Sequence, residues 1–252
     1  MKLTENDWLF LNDLVYRINR QEDVSLLQKT FLEAIKILIP CDEATFFLYG
    51  GDTLYSPVCI NSDESVISKY LDTYKETDFI SWIFSSSKSA VLRETDLLPD
   101  DIREDTPYYK EYCRPFNIHF CIILALVHDG AFVGLVDLFR TKDKEEFSER
   151  EFFILDAMKE HLALRLSQLT GPANARGFGS EAIEETLKRN IERYRLTNRE
   201  AEILELLEAG LSNQDISNRL YVSLPTLKRH ISNIYKKFDV KNRFQLSKKL
   251  LP

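Results

Sequence analysis

Residues 223–237 place Arg229, Ser232, Asn233 and Lys236 on one face of a helix at 100° per residue, with Lys228 on its flank. Guanidinium and ammonium groups of this reach bind phosphates and guanine edges. The shorter amide and hydroxyl groups suit adenine edges or phosphates. That outer face has no acidic residue, while Leu227, Ile231, Ile234, Tyr235 and Phe238 fall opposite and form the expected core. The chemistry on offer is recognition of a polyanion, made of contacts and not of bond making. An ordinary solvated helix with a chance basic excess would look the same alone, so its neighbours decide.

The rest of the chain holds few groups that could react. Asp78 could accept a ligand amide or cap the helix expected from Phe79-Ile80-Ser81-Trp82. Trp82 could wall a pocket or pack in a core; Asp78 and Trp82 are the ligand-binding candidates. His119 stands alone beside a strand and reads as structural before it reads as a haem ligand. Cys121 sits in an apolar strand and reads as inert core. His230 has no His or Cys near it and reads as a packed or hydrogen-bonded histidine before it reads as a metal ligand. No glycine-rich phosphate loop, GxSxG or HExxH occurs, so no catalytic residue and no cofactor are expected.

The elements that must position these groups follow from periodicity. Residues 4–19 and 23–39 have helical spacing, and Pro40 closes the second. Ala44–Tyr49 and Leu54–Ile60 read as strands joined at Gly50-Gly51-Asp52, with Ser65–Lys75 and Asp78–Ser85 as helices after them. Val91–Leu92 makes a short strand, and the charged stretch 93–107 reads as loop. Phe120–Val127 and Phe132–Phe139 form a hairpin across His128-Asp129-Gly130-Ala131. Ser148-Glu149-Arg150-Glu151 has capping-box spacing and opens a long helix to about Leu169. Its Phe152, Phe153, Leu155, Met158, Leu162, Leu166 and Leu169 offer more apolar surface than one small sheet needs, which predicts pairing with a second copy. The fold class is an α+β domain, an antiparallel sheet flanked by helices, followed by an all-α four-helix helix-turn-helix domain.

Residues 171–179, GPANARGFG, interrupt the periodicity and read as a linker, and Ser180–Arg195 as an amphipathic connector helix. The expected division is a first domain at 1–170, a linker and connector at 171–195, and a second domain at 196–252. Charge divides the same way. The 252 residues carry a net charge of −7, yet 181–252 holds 14 basic against 10 acidic side chains, and 212–252 holds nine against two. An acidic body with a basic tail suggests that the tail meets phosphates. No apolar run approaches the roughly 18–20 residues of a membrane span. The polar-interrupted start is no signal peptide, and four scattered cysteines suit a reduced, cytoplasmic setting.

Within the tail, capping logic opens helices at Thr197-Asn198-Arg199-Glu200, Ser212, Ser223 and Asn242, with Pro225 tolerated in a first turn. Leu196-Thr197-x-Arg199-Glu200, Ala209-Gly210-Leu211-Ser212-Asn213, Thr226-Leu227-Lys228-x-His230 and Asn233-Ile234-Tyr235-x-Lys237-Phe238 make this region resemble the LuxR/FixJ-type DNA-binding domain over about 56 residues. Asp239 stands where that family usually has glycine. The resemblance implies that the 223–237 helix enters the major groove. Lys228, Arg229 and Ser232 would lie nearest the bases, with Thr226 and Lys236 toward phosphates. It also implies pairing through the last helix, which offers Val240, Phe244 and Ser247, and operator binding as a homodimer. Glu200 is expected to cap and pack.

The front end resembles a GAF-like sensory domain. Gly134-Leu135-Val136-Asp137-Leu138-Phe139-Arg140, followed by Phe147-Ser148-Glu149-Arg150-Glu151, is its best local match. Tyr70-x-x-x-Tyr74-x-x-x-Asp78, Trp82 and Tyr108-Tyr109 also resemble the layout of acyl-homoserine-lactone receptors. The usual tryptophan ahead of the tyrosine is absent, however, and Phe79 replaces the proline after the aspartate. The GAF-like reading is preferred. Together these readings imply a ligand-responsive transcriptional regulator whose partners are double-stranded DNA, a second copy, RNA polymerase and an unknown small-molecule effector, with no membrane partner. The alternatives are a quorum-sensing receptor-regulator and, from another class, a small-molecule enzyme anchored to DNA by its tail.

Overall fold

The computed structural model describes residues 3–50, 53–74, 78, 80, 83–84, 86–171, 189–191, 193–208, 213–240, 246 and 249–250. Polar caps open the first two helices. Thr4 and Asp7 form a reciprocal capping box on α1 (Glu5–Asn19), and the Asp23 carboxylate accepts from the Leu26 N–H on α2 (Val24–Leu38). The hairpin β1 (Glu43–Gly50) and β2 (Thr53–Ile60) follows, then α3 (Glu64–Lys69) and the short strand β3 (Ala90–Arg93). The second hairpin pairs β4 (Phe120–His128) with β5 (Ala131–Arg140). Asp129 and Gly130 both take positive φ, 49° and 75°, as a two-residue turn of matching twist requires. The five strands lie in the order β2-β1-β5-β4-β3, every pair antiparallel.

Period-two alternation sorts the sheet into two faces. Ile122, Leu124, Leu126, Val136 and Leu138 point to one core, shared with α1, α2 and the long helix α6 (Glu149–Thr170). Cys121, Ile123, Ala125, Leu135 and Phe132 point to a second core, covered by Val66, Ile83, Tyr108, Tyr112 and Ile118 among others. Gly134 is required where it stands, because an added Cβ would lie 2.9 Å from the Phe47 carbonyl oxygen and 3.0 Å from Leu166 Cδ1. The Ser148–Glu151 capping box opens α6, and Glu151 also pairs with Arg140, which donates to the Pro40 carbonyl at 2.8 Å.

Three expectations change. The stretch 93–107 is not a loop: α4 (Glu94–Leu97) and α5 (Asp100–Arg103) form there, because Arg103 is wholly buried. Its guanidinium donates to the His119 carbonyl at 2.7 Å and to Asp100 at 2.8 Å, so apparently solvated charges hold the second core together. The helix expected over 65–75 ends at Lys69 and widens into a π-helical turn, Tyr70–Tyr74, which leaves the Tyr70 phenol bonded to Asp78. The apolar surplus of α6 is also smaller than expected. Leu155, Met158, Leu162 and Leu166 are consumed by the first core, leaving Phe153 exposed.

The tail contains α7 (Asn198–Glu208), α8 (Asn213–Arg219) and α9 (Leu224–Phe238) around a third core that includes Ile203, Leu207, Ile216, Leu227, Ile234 and Phe238. Tyr194 stacks on Phe238 with ring centroids 4.0 Å apart, tying the end of the connector to the tail. The linker beyond Gly171, the Ser212 and Asn242 helix starts and most of the connector lie outside the described residues.

Candidate nucleic-acid interface and sensory cavity

Local chemistry fixes α9. The Ser223 hydroxyl accepts from the Thr226 N–H at 3.3 Å, Pro225 sits in the first turn, and Asp239 ends the helix in the left-handed region (φ 52°, ψ 56°). The preceding turn is held by the Ser217 hydroxyl donating to the Val222 carbonyl at 2.6 Å, and by Arg199 donating to the Leu220 carbonyl at 2.7 Å. Leu227, Ile231, Ile234 and Phe238 are buried. Thr226, Lys228, Arg229, Ser232 and Lys236 are exposed together, and Asn233 is half-buried beside them. Lys237, one residue on, leaves this set and bonds to Glu200. Glu200 completes the Thr197 capping box as expected. Val240 is partly buried against the tail core, while Phe244 and Ser247 lie outside the described residues.

The second site is a cavity on the far face of the sheet, about 20 Å³ in volume, room for roughly one water. Asp78, Glu94, Asp137, Tyr70, Tyr108 and Tyr112 line it, with Glu43 at its side. Asp78 is satisfied within the protein: one carboxylate oxygen accepts the Tyr70 phenol at 2.9 Å, the other the Ile80 N–H at 3.0 Å. Burial nevertheless pushes it up to about 7. Burial, then the Asp78 charge, pushes Glu94 up to about 8, although Arg103 opposes this from 3.6 Å away. Asp137 is raised well above the usual carboxylate range, by burial first and Asp78 second, and its Oδ1 has no hydrogen-bond partner among the described residues. Trp82 lies outside the described residues. His119 is bonded through Nδ1 to the Tyr109 hydroxyl at 2.7 Å, a structural role.

Sequence reasoning missed Glu94, Tyr112 and Asp137 as cavity groups. Asp137 carried a signal: it is the one acidic residue in the otherwise apolar run 131–139, at the parity that faces the cavity.

A model of the GAF domain matches residues 23–166, and a model described as bacterial regulatory proteins, luxR family, matches residues 194–249. The chain belongs to the GAF-domain family, joined to a LuxR-type tail. It is therefore a LuxR-family transcriptional regulator with a sensory domain. The GAF domain contains the sheet and the cavity, and the LuxR-type domain contains α7, α8 and α9. The monoamine regulon transcriptional regulator of Klebsiella aerogenes is 27% identical over 220 residues, 85% of this chain and 86% of that protein. The CsgBAC operon transcriptional regulatory protein of Escherichia coli is 50% identical over 50 residues, 20% of this chain and only 23% of that protein. The solved structure of SdiA in complex with octanoyl-rac-glycerol aligns over 99% of this chain and 96% of that one, at 15% identity and a TM-score of 0.50, a likeness of fold alone. No helix among the described residues is long and apolar enough to cross a membrane.

Proposed function

We propose that this LuxR-type regulator binds operator DNA as a dimer through α9 and responds to a small molecule taken up by its GAF domain. Residues 1–170 sense, 171–195 connect, and 196–252 bind DNA in the cytoplasm, with RNA polymerase as the further partner that any effect on transcription requires. The observation that carries this reading is the shared exposure of Thr226, Lys228, Arg229, Ser232 and Lys236 on a face without an acid, backed by a fully buried opposite stripe. Such a face offers both phosphate and base-edge donors. The full-length similarity to a regulator of a monoamine regulon supports gene control linked to small metabolites. No sequence motif of an enzyme argues for turnover.

Gel-shift titration of the purified chain on its own upstream region tests this. Arg229→Ala weakens specific binding by about 1–3 kcal/mol and relaxes preference at one base position. Lys236→Ala weakens all sequences alike and lowers the salt slope by about one. If Lys228, Arg229 and Lys236 can each be replaced without effect in a melt-neutral background, α9 does not enter the groove.

A further inference from the structure

The geometry points to a protonated amine as the ligand class of the GAF cavity, its ammonium group seated against Asp137. This rests on the reading of that cavity as the effector site. Four carboxyl groups line the space, Glu43 from β1, Asp78, Glu94 from α4 and Asp137 from β5, and among the described residues no lysine, arginine or histidine does. Arg103, on α5, is the nearby cation, and it is spoken for by Asp100, Glu94 and the His119 carbonyl. An anionic ligand would therefore find no cation among these groups to balance its charge.

Two of the three buried acids are already matched inside the protein: Asp78 by Tyr70 and Ile80, Glu94 by Arg103. Asp137 is not. It is 7% exposed, stands opposite Thr45 on one side and Ile123 on the other, and its Oδ1 has no partner among the described residues. A buried acceptor without a donor is costly unless a state of the protein supplies one. An ammonium group supplies three donors and a charge, and it has the size of the water the cavity can hold. The rings of Tyr70, Tyr108 and Tyr112, mutually packed at 5.4–6.3 Å between centroids, give the cation aromatic surfaces. The organic remainder of the amine enters only when this tyrosine wall parts, which makes occupancy a conformational event and suits a sensor.

Protonation follows from the same contacts. Burial, then the Asp78 charge, favours the protonated form of Asp137, which faces the cavity with Asp78, Glu94, Tyr112 and, on β4, Cys121. An ammonium neighbour favours the carboxylate, so the proton leaves to solvent as the amine binds.

Calorimetric titration of the full chain with benzylamine, benzyl alcohol and benzoate, near pH 7 in two buffers of different ionisation enthalpy, tests the inference without any variant. Benzylamine is expected to bind saturably and to release up to about one proton. Benzyl alcohol should bind at least tenfold more weakly, and benzoate should give no heat. Asp137→Asn should weaken benzylamine at least tenfold without lowering the thermal midpoint at pH 7. Equal binding of amine and alcohol, no binding of benzylamine or of the smaller propylamine, or an unaltered Asp137→Asn affinity overturns the assignment. The same preparations, carried into the gel shift, separate the two claims. Protein that shifts DNA but takes no amine sinks the amine class alone. Amine uptake without any effect on DNA binding upholds the site and sinks its role as effector site.

Discussion

Lys237 Nζ lies 2.6 Å from Glu200 Oε2, so a lysine of α9 reaches back to the start of α7 and ties the two helices together. The same ammonium donates to the Arg195 carbonyl at 2.8 Å. Two adjacent lysines thus differ in purpose: Lys236 faces solvent and Lys237 braces the helix.

Glu200→Gln should lower the stability of the LuxR-type domain by about 1 kcal/mol, the size of a lost cap contact. Burial raises this carboxyl, but the Lys237 and Thr197 hydrogen bonds outweigh it, and the net position is below the ordinary 4.5. A depressed folded value means that the stabilisation is complete above pH 4.5 and lost as pH falls through the folded value. Thermal melts of wild type and variant should differ at pH 7 and converge toward pH 3. Parallel curves at both values would remove the carboxylate from the account.

Asp239 occupies the left-handed region, where an L side chain is strained and glycine is not. Asp239→Gly should raise the tail's stability by about 0.5–1 kcal/mol, after the extra freedom glycine gives the unfolded chain is deducted. Chemical denaturation followed by far-ultraviolet dichroism reads this directly. A loss of stability would mean that the Asp239 side chain makes a contact worth more than the strain.

The buried acids of the GAF domain give it an unusual pH profile. Asp78 and Glu94 ionise near 3.8 and 4.5 when unfolded, but only near 7 and 8 when folded. The folded state then binds more protons across that interval, so stability is fullest below about pH 4 and declines as pH rises through 7 and 8. The acid loss due to Asp7, held down to about 2 chiefly by Arg150, lies below this window. Calorimetry should show a higher GAF-domain transition at pH 5 than at pH 8, with a smaller drop in Asp137→Asn. A transition that climbs between those values contradicts the buried-acid picture.

Trp8 on α1 and Phe153 on α6 meet edge to face, 6.2 Å between centroids, while remaining 51% and 44% exposed. Large exposed apolar groups from two elements in one patch suit pairing with a second copy. The wild-type chain should sediment as a dimer at micromolar concentration. Replacing both residues with glutamate should give a monomer whose melt moves by no more than about 0.5 kcal/mol. A persistent dimer would place the contact elsewhere.

The hairpin of β4 and β5, the caps at Ser148, Thr197 and Ser223, and the inner stripe of α9 were all legible, because each follows from neighbours within a few residues. The cavity was not. Its walls come from Glu43 to Phe139, and its charged members contradict the rule that acids and arginines lie outside. Glu94 and Arg103 read as solvated because a run of charges gives no sign that two of them face each other in a core. Asp78 was found, but as a helix cap or a ligand group; that its partner would be Tyr70, eight residues earlier, depended on a widened turn that no spacing announces.

The close approach at Gly134 has a mechanical meaning. On one face of β5 stands Asp137; three residues back along the same strand, Gly134 leaves no slack between the Phe47 carbonyl and Leu166. Leu166 lies in the last turn of α6, four residues before the helix ends at Thr170. A sheet and a helix in contact without spare volume shift as one body. A displacement of the strand at its acidic end would therefore press on the last turns of α6, the helix that precedes the DNA-binding half.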